Sequence, residues 1–266
     1  MVVYTGLALF AGAGGLELGL KLALGDRYKC VAFVERSIEA AAVLATQMER
    51  GGLDKGVIWD DVTTFTGDVV SPFVDNIDII SAGFPCQPVS LSGKREIEND
   101  PRWEFPEIIR LVRQIRPGYV FLENVTGLLV GGGFDLVITG LAQSGFNVEW
   151  ISVQANEVGS PQKRERIFLL AHSQRERGRG WHTGGEHATY AFPPGPAASA
   201  EWRDILAQRP DLAPAVESEV RGVVDGVSRG MDFTRASKFR ILGNAVVPQQ
   251  AALAFQILKE RIDAQD

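Results

Sequence analysis

Short apolar runs alternate with helix-patterned segments along most of this chain, from Thr5 to about Ala171. Four runs are each followed by such a segment: TGLALFAG by LELGLKLAL, KCVAFVE by IEAAAVLATQMER, IDIISAG by EIIRLVRQIR, and YVFLENV by FDLVITGLAQSG. Two further runs, NVEWISV and RIFLLAH, complete the series. Alternation of short buried strands with helices is typical of a sheet joined by crossover connections. The pattern predicts an α/β fold with a Rossmann-like, doubly wound sheet.

The composition changes after this series. Residues 173 to about 200 are rich in Gly, Pro, Arg and His and have weak periodicity, which is typical of loop-rich structure. Two short helices are expected around 201–208 and 213–227, and ILGNAVVPQQAALAFQILKERI then predicts a loop and an apolar helix that returns to the body. We therefore expect a main domain of residues 1–171 and 237–266 and a short inserted region of residues 172–236.

Composition narrows the class of protein. With 45% hydrophobic residues in 266, the chain can bury one large core, and no segment has the ~20 apolar residues needed to span a bilayer. The N-terminus lacks the features of a signal peptide. Two cysteines and three histidines provide neither a disulfide framework nor a zinc ligand set. We expect a cytoplasmic protein without a metal or a membrane partner.

The net charge of −6 argues against a simple polyanion binder, because such domains are usually basic. Basic residues nevertheless concentrate in two stretches, around 163–179 and 235–240. Two interpretations of these stretches stay open: they form a local basic face on an acidic protein, or they are ordinary solvated charge.

A glycine-rich turn, FAGAGG, closes the first predicted strand and opens the first helix. Its glycines allow backbone amides to approach a ligand closely. Glu35 follows the second strand, where an acidic residue holds ribose hydroxyls in such folds, and Asp61 comes next along the same edge. The set favours an adenosine-containing ligand without a pyrophosphate, since GxGxxG and a phosphate-binding lysine are absent. Surface charge is the alternative for each carboxylate alone.

The stretch GFPCQPVS places Cys86 between two prolines, just beyond a predicted strand's carboxyl end. Ligands bind at that edge in open α/β sheets, and the prolines hold the thiol on a semi-rigid loop. A buried structural cysteine is the alternative at this point.

Two polar constellations follow. ENV puts Glu123 directly after a strand, where a carboxyl group in a cleft can have a raised pKa and donate a proton. QKRERIF presents Arg164 and Arg166 outward as a strand begins, a pair suited to a phosphate or a carbonyl oxygen. A solvated edge strand is the alternative for the two arginines.

Taken together, FAGAGG, Glu35, Asp61, GFPCQPVS, ENV, QKRERIF and GNAVVP occur in the order and approximate spacing of cytosine-5 DNA methyltransferases. The resemblance covers about residues 5–171 and 237–262. It implies the class I S-adenosylmethionine-dependent methyltransferase fold and a covalent mechanism. In that mechanism Cys86 is the nucleophile, Glu123 protonates or hydrogen-bonds N3 of cytosine, Arg166 holds O2, and Arg164 supports the loop or a phosphate.

The same resemblance implies two sets of binding residues. The S-adenosylmethionine pocket would be lined by Phe10, Gly12, Gly14, Leu16, Glu35, Asp61, Val62, Pro85 and Asn244. DNA contacts would come from Gln87, Ser90, Ser92, Lys94, Arg95, Gln162, Arg221 and Arg229. Residues 172–236 occupy the family's target-recognition position, although the segment is short for that role.

The resemblance predicts methyl transfer from S-adenosylmethionine to carbon 5 of a flipped-out cytosine in double-stranded DNA. Two alternatives stay open, an RNA-directed cytosine-5 methyltransferase and a catalytically silent regulatory homologue that binds cofactor or a partner. The intact Cys86, Glu123 and Arg166 speak against the silent homologue, and the glycine pattern disfavours an NAD-type oxidoreductase. We expect a monomer, and the motifs do not identify a cognate restriction endonuclease.

Overall fold

A seven-stranded sheet flanked by helices forms the body of the protein. The computed structural model describes residues 2–69, 76–85, 97, 100, 102–130, 132–160, 164–173, 243 and 245–265. The strands are β1 (Tyr4–Leu9), β2 (Tyr28–Val34), β3 (Val57–Trp59), β4 (Ile79–Gly83), β5 (Tyr119–Asn124), β6 (Phe146–Gln154) and β7 (Glu165–Ser173). The helices are α1 (Gly15–Leu24), α2 (Ile38–Glu49), α3 (Phe105–Ile115), α4 (Gly133–Gln143) and α5 (Pro248–Asp263).

The sheet order is β3-β2-β1-β4-β5-β7-β6. The strands from β3 to β5 run parallel, whereas β7 pairs antiparallel with both β5 and β6. The predicted doubly wound α/β fold is confirmed, with the reversed direction of β7 as a difference. Parallel strands need a crossover of about a dozen residues or more. The connection from β6 to β7 is short and begins with a one-turn 3₁₀ segment at Ala155–Val158.

Helices cover both faces of the sheet. One core layer packs α3 and α4 against the sheet through residues such as Ile108, Val112 and Leu141, and the other packs α1, α2 and α5. In α3, apolar residues recur at helical spacing, so one stripe is buried against the sheet. We call the face covered by α1, α2 and α5 the inner face.

The helix α5 returns to the body, as the apolar pattern predicted, and it packs along α1. The close approach depends on Gly19, where a Cβ atom would lie 2.5 Å from the Cβ of Ala251. The boundaries of the predicted inserted region remain a prediction, since residues 174–242 lie outside the described residues. Within the described ranges, no helix combines the length and apolarity required to cross a bilayer.

Candidate active site

A cavity of about 600 Å³ opens at the carboxyl ends of the parallel strands. It lies where the chain order reverses, because β2 and β3 extend the sheet to one side of β1 while β4 and β5 extend it to the other. Ligands bind at this switch point in open α/β sheets. The cavity is lined by Phe10, Gly12, Val34, Glu35, Arg36, Ser37, Ala40, Asp60, Val62, Gly83, Phe84, Pro85, Glu104, Glu123, Asn124, Val125, Arg166 and Gly243.

The glycine-rich turn after β1 is fixed to Glu35. The Gly12 N–H donates to Glu35 Oε2 at 2.7 Å, and the Ser37 N–H donates to Glu35 Oε1 at 2.7 Å. Gly12 has a φ of 55°, and a Cβ atom there would meet no atom within 4 Å. The turn therefore presents open backbone to the cavity, and both oxygens of Glu35 hold it to the start of α2.

Five of the predicted cofactor residues line this cavity: Phe10, Gly12, Glu35, Val62 and Pro85. Leu16 lines a smaller adjacent cavity. At Gly14, an added Cβ atom would instead meet the Leu53 side chain at 2.6 Å. Asn244 lies outside the described residues.

Asp61 has its carboxylate directed to its own turn. Its Oδ1 accepts hydrogen bonds from the Thr63 N–H at 2.9 Å and the Thr63 hydroxyl at 2.8 Å. These hydrogen bonds hold the pKa of Asp61 below its usual range. The neighbouring Asp60 lines the cavity, so the cofactor role of Asp61 stays a prediction.

Sequence reasoning missed several lining residues, among them Arg36, Asp60 and Glu104. Arg36 directly follows Glu35, and its guanidinium lies 3.9 Å from Asp61 and 3.8 Å from Glu104. Burial raises the pKa of Glu104, and the Arg36 charge opposes that shift. Adjacency to Glu35 was the signal available for Arg36, whereas Glu104 precedes a helix and carries no local signal of its own.

Glu123 and Arg166 form an ion pair at the cavity edge. Glu123 is buried at the end of β5, and its Oε1 lies 2.9 Å from Arg166 Nε on β7. Burial raises the pKa of Glu123 to about 7, and the charges of Arg166 and Arg164 oppose the shift. The edge-strand alternative for the two arginines is wrong, because β7 lies between β5 and β6.

Asn124, the middle residue of ENV, joins two loops of the site. Its side-chain amide donates to the Phe84 carbonyl at 3.1 Å, and its Oδ1 accepts from the Val125 N–H at 2.8 Å. Asn124 thereby connects the end of β5 to the chain that leads through Pro85 to Cys86. Sequence reasoning named the motif but gave this residue no role.

Arg164 contacts the C-terminal loop. Its Nη2 donates to the carbonyls of Gly243 and Ala245, both at 2.7 Å. Burial lowers the pKa of Arg164, and the charge of Arg166 adds to the decrease. These bonds agree with the loop-supporting role implied for Arg164, which is not among the residues that line the main cavity.

We expect Arg164→Met to lower the free energy of unfolding by about 1–3 kcal/mol, because two carbonyl acceptors would lose a charged donor. The measurement is urea unfolding, with amide exchange to localise the effect to residues 245–247. Arg113→Met is the matched control, since the exposed Arg113 donates a single side-chain bond to Ser144. Equal stability of the two variants would contradict this role for Arg164.

The remaining predicted site residues lie outside the described residues. They are Cys86, Gln87, Ser90, Ser92, Lys94, Arg95, Gln162, Arg221 and Arg229. The second cysteine, Cys30, is buried within β2. The described part of the chain contains no cluster of three or more His, Cys, Asp or Glu residues that could hold a metal ion.

The sequence of this chain is similar to those of known methyltransferases. The family profile described as C-5 cytosine-specific DNA methylase matches residues 4–217. The Type II methyltransferase M.CviJI of Paramecium bursaria Chlorella virus IL3A is 33% identical over 166 residues, covering 62% of this chain and 42% of that protein. M.NgoMIV of Neisseria gonorrhoeae is 35% identical over 171 residues, covering 63% and 51%. The chain thus spans about half the length of the curated relatives it matches.

Solved structures show the same fold. The S. pombe Dnmt2 methyltransferase superposes with a TM-score of 0.65 at 17% identity, covering 97% of this chain and 99% of that chain. A mutant of Spodoptera frugiperda DNMT2 gives a TM-score of 0.53 at 24% identity, covering 68% and 54%. At these identities the likeness concerns the fold alone.

Proposed function

Because this chain belongs to the C-5 cytosine-specific DNA methylase family, we propose that it transfers a methyl group from S-adenosylmethionine to carbon 5 of cytosine in double-stranded DNA. The observation that supports this most directly is the Glu123–Arg166 ion pair at the edge of the large cavity. Pro85, which precedes Cys86 in the sequence, lines the same cavity. The carboxyl and the guanidinium are therefore close to the chain that carries the thiol.

The residues of the cavity fit the cofactor. Its volume of about 600 Å³ lies in the usual range for small-molecule sites, and Gly12 leaves room for close backbone approach. Glu35 would accept hydrogen bonds from ribose hydroxyls, and Phe10, Val62 and Pro85 would supply apolar contact. When bound, S-adenosylmethionine supplies an electrophilic methyl group on a sulfonium centre.

The chain's own residues would prepare the cytosine. Carbon 5 is a weak nucleophile, and addition of the Cys86 thiolate to carbon 6 would make the ring enamine-like. Glu123 would share its proton with N3 as the ring gains electron density, and Arg166 would hold the O2 carbonyl. After methyl transfer a base removes the proton from carbon 5 and the thiolate leaves.

A base inside a duplex stack is inaccessible to this chemistry, so the cytosine would have to be flipped out. We propose residues 172–236 as the region that selects the target, with Arg221 and Arg229 among its DNA contacts. Gln87, Ser90, Ser92, Lys94, Arg95 and Gln162 are further proposed contacts. The acidic net charge makes salt dependence informative, because its slope reports how many phosphates are engaged.

Removal of the Glu35 carboxylate should weaken cofactor binding. We expect Glu35→Ala to reduce the affinity for S-adenosylmethionine by roughly 1.5–3 kcal/mol, because hydrogen bonds to a charged acceptor are lost and the Gly12 amide loses its fixed partner. Isothermal titration calorimetry measures the affinity. Glu49→Ala, at the exposed end of α2, is the control. Unchanged affinity in Glu35→Ala would remove Glu35 from the site.

Bisulfite sequencing of plasmid DNA from cells expressing the protein tests the proposed function. Protection of cytosines within one recurring sequence is expected, and the same data give the recognition sequence. A parallel methyl-incorporation assay compares duplex DNA with tRNA. Incorporation into tRNA alone would favour the RNA-directed alternative, and cofactor binding without incorporation into either would favour the silent homologue.

A further inference from the structure

Glu17 is a buried carboxyl group that the mechanism above does not use. It lies in the first turn of α1 with 2% of its surface exposed. Its Oε1 accepts a hydrogen bond from the Ser81 hydroxyl at 2.8 Å, whereas its Oε2 is buried without a partner among the described residues. Burial of an oxygen atom without a hydrogen-bond partner destabilises the folded state, so a compensating role for Glu17 is expected.

A small cavity connects Glu17 with Glu123. It has a volume of about 30 Å³, and Glu17 and Glu123 are both among the residues that line it. That volume exceeds the roughly 10–15 Å³ that one water molecule needs, and two acidic residues provide the polar partners that a buried water needs. The cavity also touches the glycine-rich turn, so it lies directly beneath the proposed cofactor site.

The strand register explains why the two groups meet. Ser81 and Gly83 lie on the same face of β4, and Gly83 pairs with Glu123 of β5. A Cβ atom at Gly83 would lie 3.3 Å from Glu123 Oε2. The absence of a side chain at Gly83 therefore leaves room for the Glu123 carboxyl group. Since Ser81 contacts Glu17 on this face, both carboxyls lie on the inner face of the sheet.

The two carboxyls differ in their charged neighbours. Glu123 is paired with Arg166 at 2.9 Å, whereas no ion pair joins Glu17 to a cation within the described ranges. Burial raises the pKa of Glu17 to about 7, with the Ser81 hydrogen bond opposing the shift. Other titratable groups on the inner face include Tyr28 and Cys30 of β2, Arg164 just before β7, Tyr4, Tyr119, and Lys259 of α5, which pairs with Asp263. The Arg166 guanidinium therefore favours the ionised form of Glu123, and in the part of the chain that the structure describes no such partner favours the ionised form of Glu17.

We infer that Glu17 is a positioning residue for Glu123: in its protonated form it donates a hydrogen bond, through one water in the small cavity, to the ionised Glu123 carboxylate. The role in methyl transfer rests on the proposed function, whereas the coupling of the two carboxyls does not. The protonated Glu17 stabilises the carboxylate that forms when Glu123 gives its proton to the cytosine.

Nuclear magnetic resonance of the cofactor-free protein, labelled at the glutamate δ-carbon, tests the coupling without any methyl transfer. Glu17→Leu removes the donor and should raise the titration midpoint of Glu123 by about one pH unit, because the charged form loses one hydrogen bond. Glu17→Gln keeps an N–H donor and should leave that midpoint close to wild type. The pH profile of single-turnover methylation should shift in the same way in Glu17→Leu.

The coupling is reciprocal, so a change at Glu123 must also shift the titration of Glu17. Glu123→Gln cannot ionise, so the titration midpoint of Glu17 should fall in that variant, which gives a second test if Glu17→Leu does not fold. Unchanged midpoints in these variants would overturn the inference. Uncoupled titrations in a protein that methylates DNA would overturn the inference alone, whereas coupled titrations in a protein that methylates nothing would overturn the proposed function alone.

Discussion

Replacement of Cys86 with serine should reduce methyl transfer by about a thousandfold or more while leaving S-adenosylmethionine binding nearly intact. A hydroxyl is far less ionised than a thiol near neutral pH, and the reaction needs an anionic nucleophile. Single-turnover incorporation of labelled methyl groups measures the rate, and calorimetry measures cofactor binding. Cys30→Ala is the matched control, because Cys30 is buried in β2 and should be dispensable for the chemistry.

Trapping with 5-fluorocytosine identifies the covalent step itself. If Cys86 adds to carbon 6, the final step needs a proton to leave carbon 5, and fluorine cannot leave in that way. With cofactor present, a denaturation-resistant adduct should form whose mass equals protein plus methylated oligonucleotide, and peptide mapping should place it on Cys86. Turnover of Cys86→Ser within tenfold of wild type would rule out the covalent mechanism.

Replacement of Glu123 with glutamine should slow methyl transfer and adduct formation by about 10²–10⁴-fold. An amide cannot supply the proton that N3 attracts as the ring gains electron density. Glu165→Gln is the matched control, because Glu165 is exposed and its side chain accepts a hydrogen bond from the Ser152 hydroxyl. Equal rates for these two variants would show that Glu123 does not act as the acid.

The pKa of Glu123 determines in which direction the methylation rate should change with pH. Burial raises the pKa of Glu123 to about 7, so its protonated fraction falls as the pH rises through about 7. The fraction of Cys86 in the thiolate form increases as the pH rises. The single-turnover rate should therefore have a limb that falls above about pH 7, and this limb should be absent in Glu123→Gln. Its persistence in that variant would assign the limb to another group.

Residues at strand ends could be predicted because local sequence carries their signal. Glu35 and Glu123 each follow an apolar run, and Arg166 lies where another begins, so their common edge follows from the alternation of strands and helices. Glu17 carried no such signal. Its segment, GLELGLKLAL, has leucines on opposite sides of the helix, so the pattern does not decide which side faces the sheet, and the packing of α1 on β4 buries Glu17.

Two features of the fold were also beyond local sequence. The strand β3 has three residues of intermediate burial, too few for a recognisable apolar run. The antiparallel direction of β7 depends on the length of the connection from β6 and on pairing with β5, which is distant in the sequence. The same holds for Arg164, whose carbonyl partners Gly243 and Ala245 come from the far end of the sequence.

The pairing of α1 with α5 has a consequence for how the protein is made. The ribosome produces α1 before strands β2 to β7 and α5 after them, so the apolar stripe of α1 around Leu16 and Leu20 lacks its cover while that part of the chain is made. Contacts this distant in sequence form late and slow folding. During that interval the exposed apolar surface of the nascent chain is a target for chaperones.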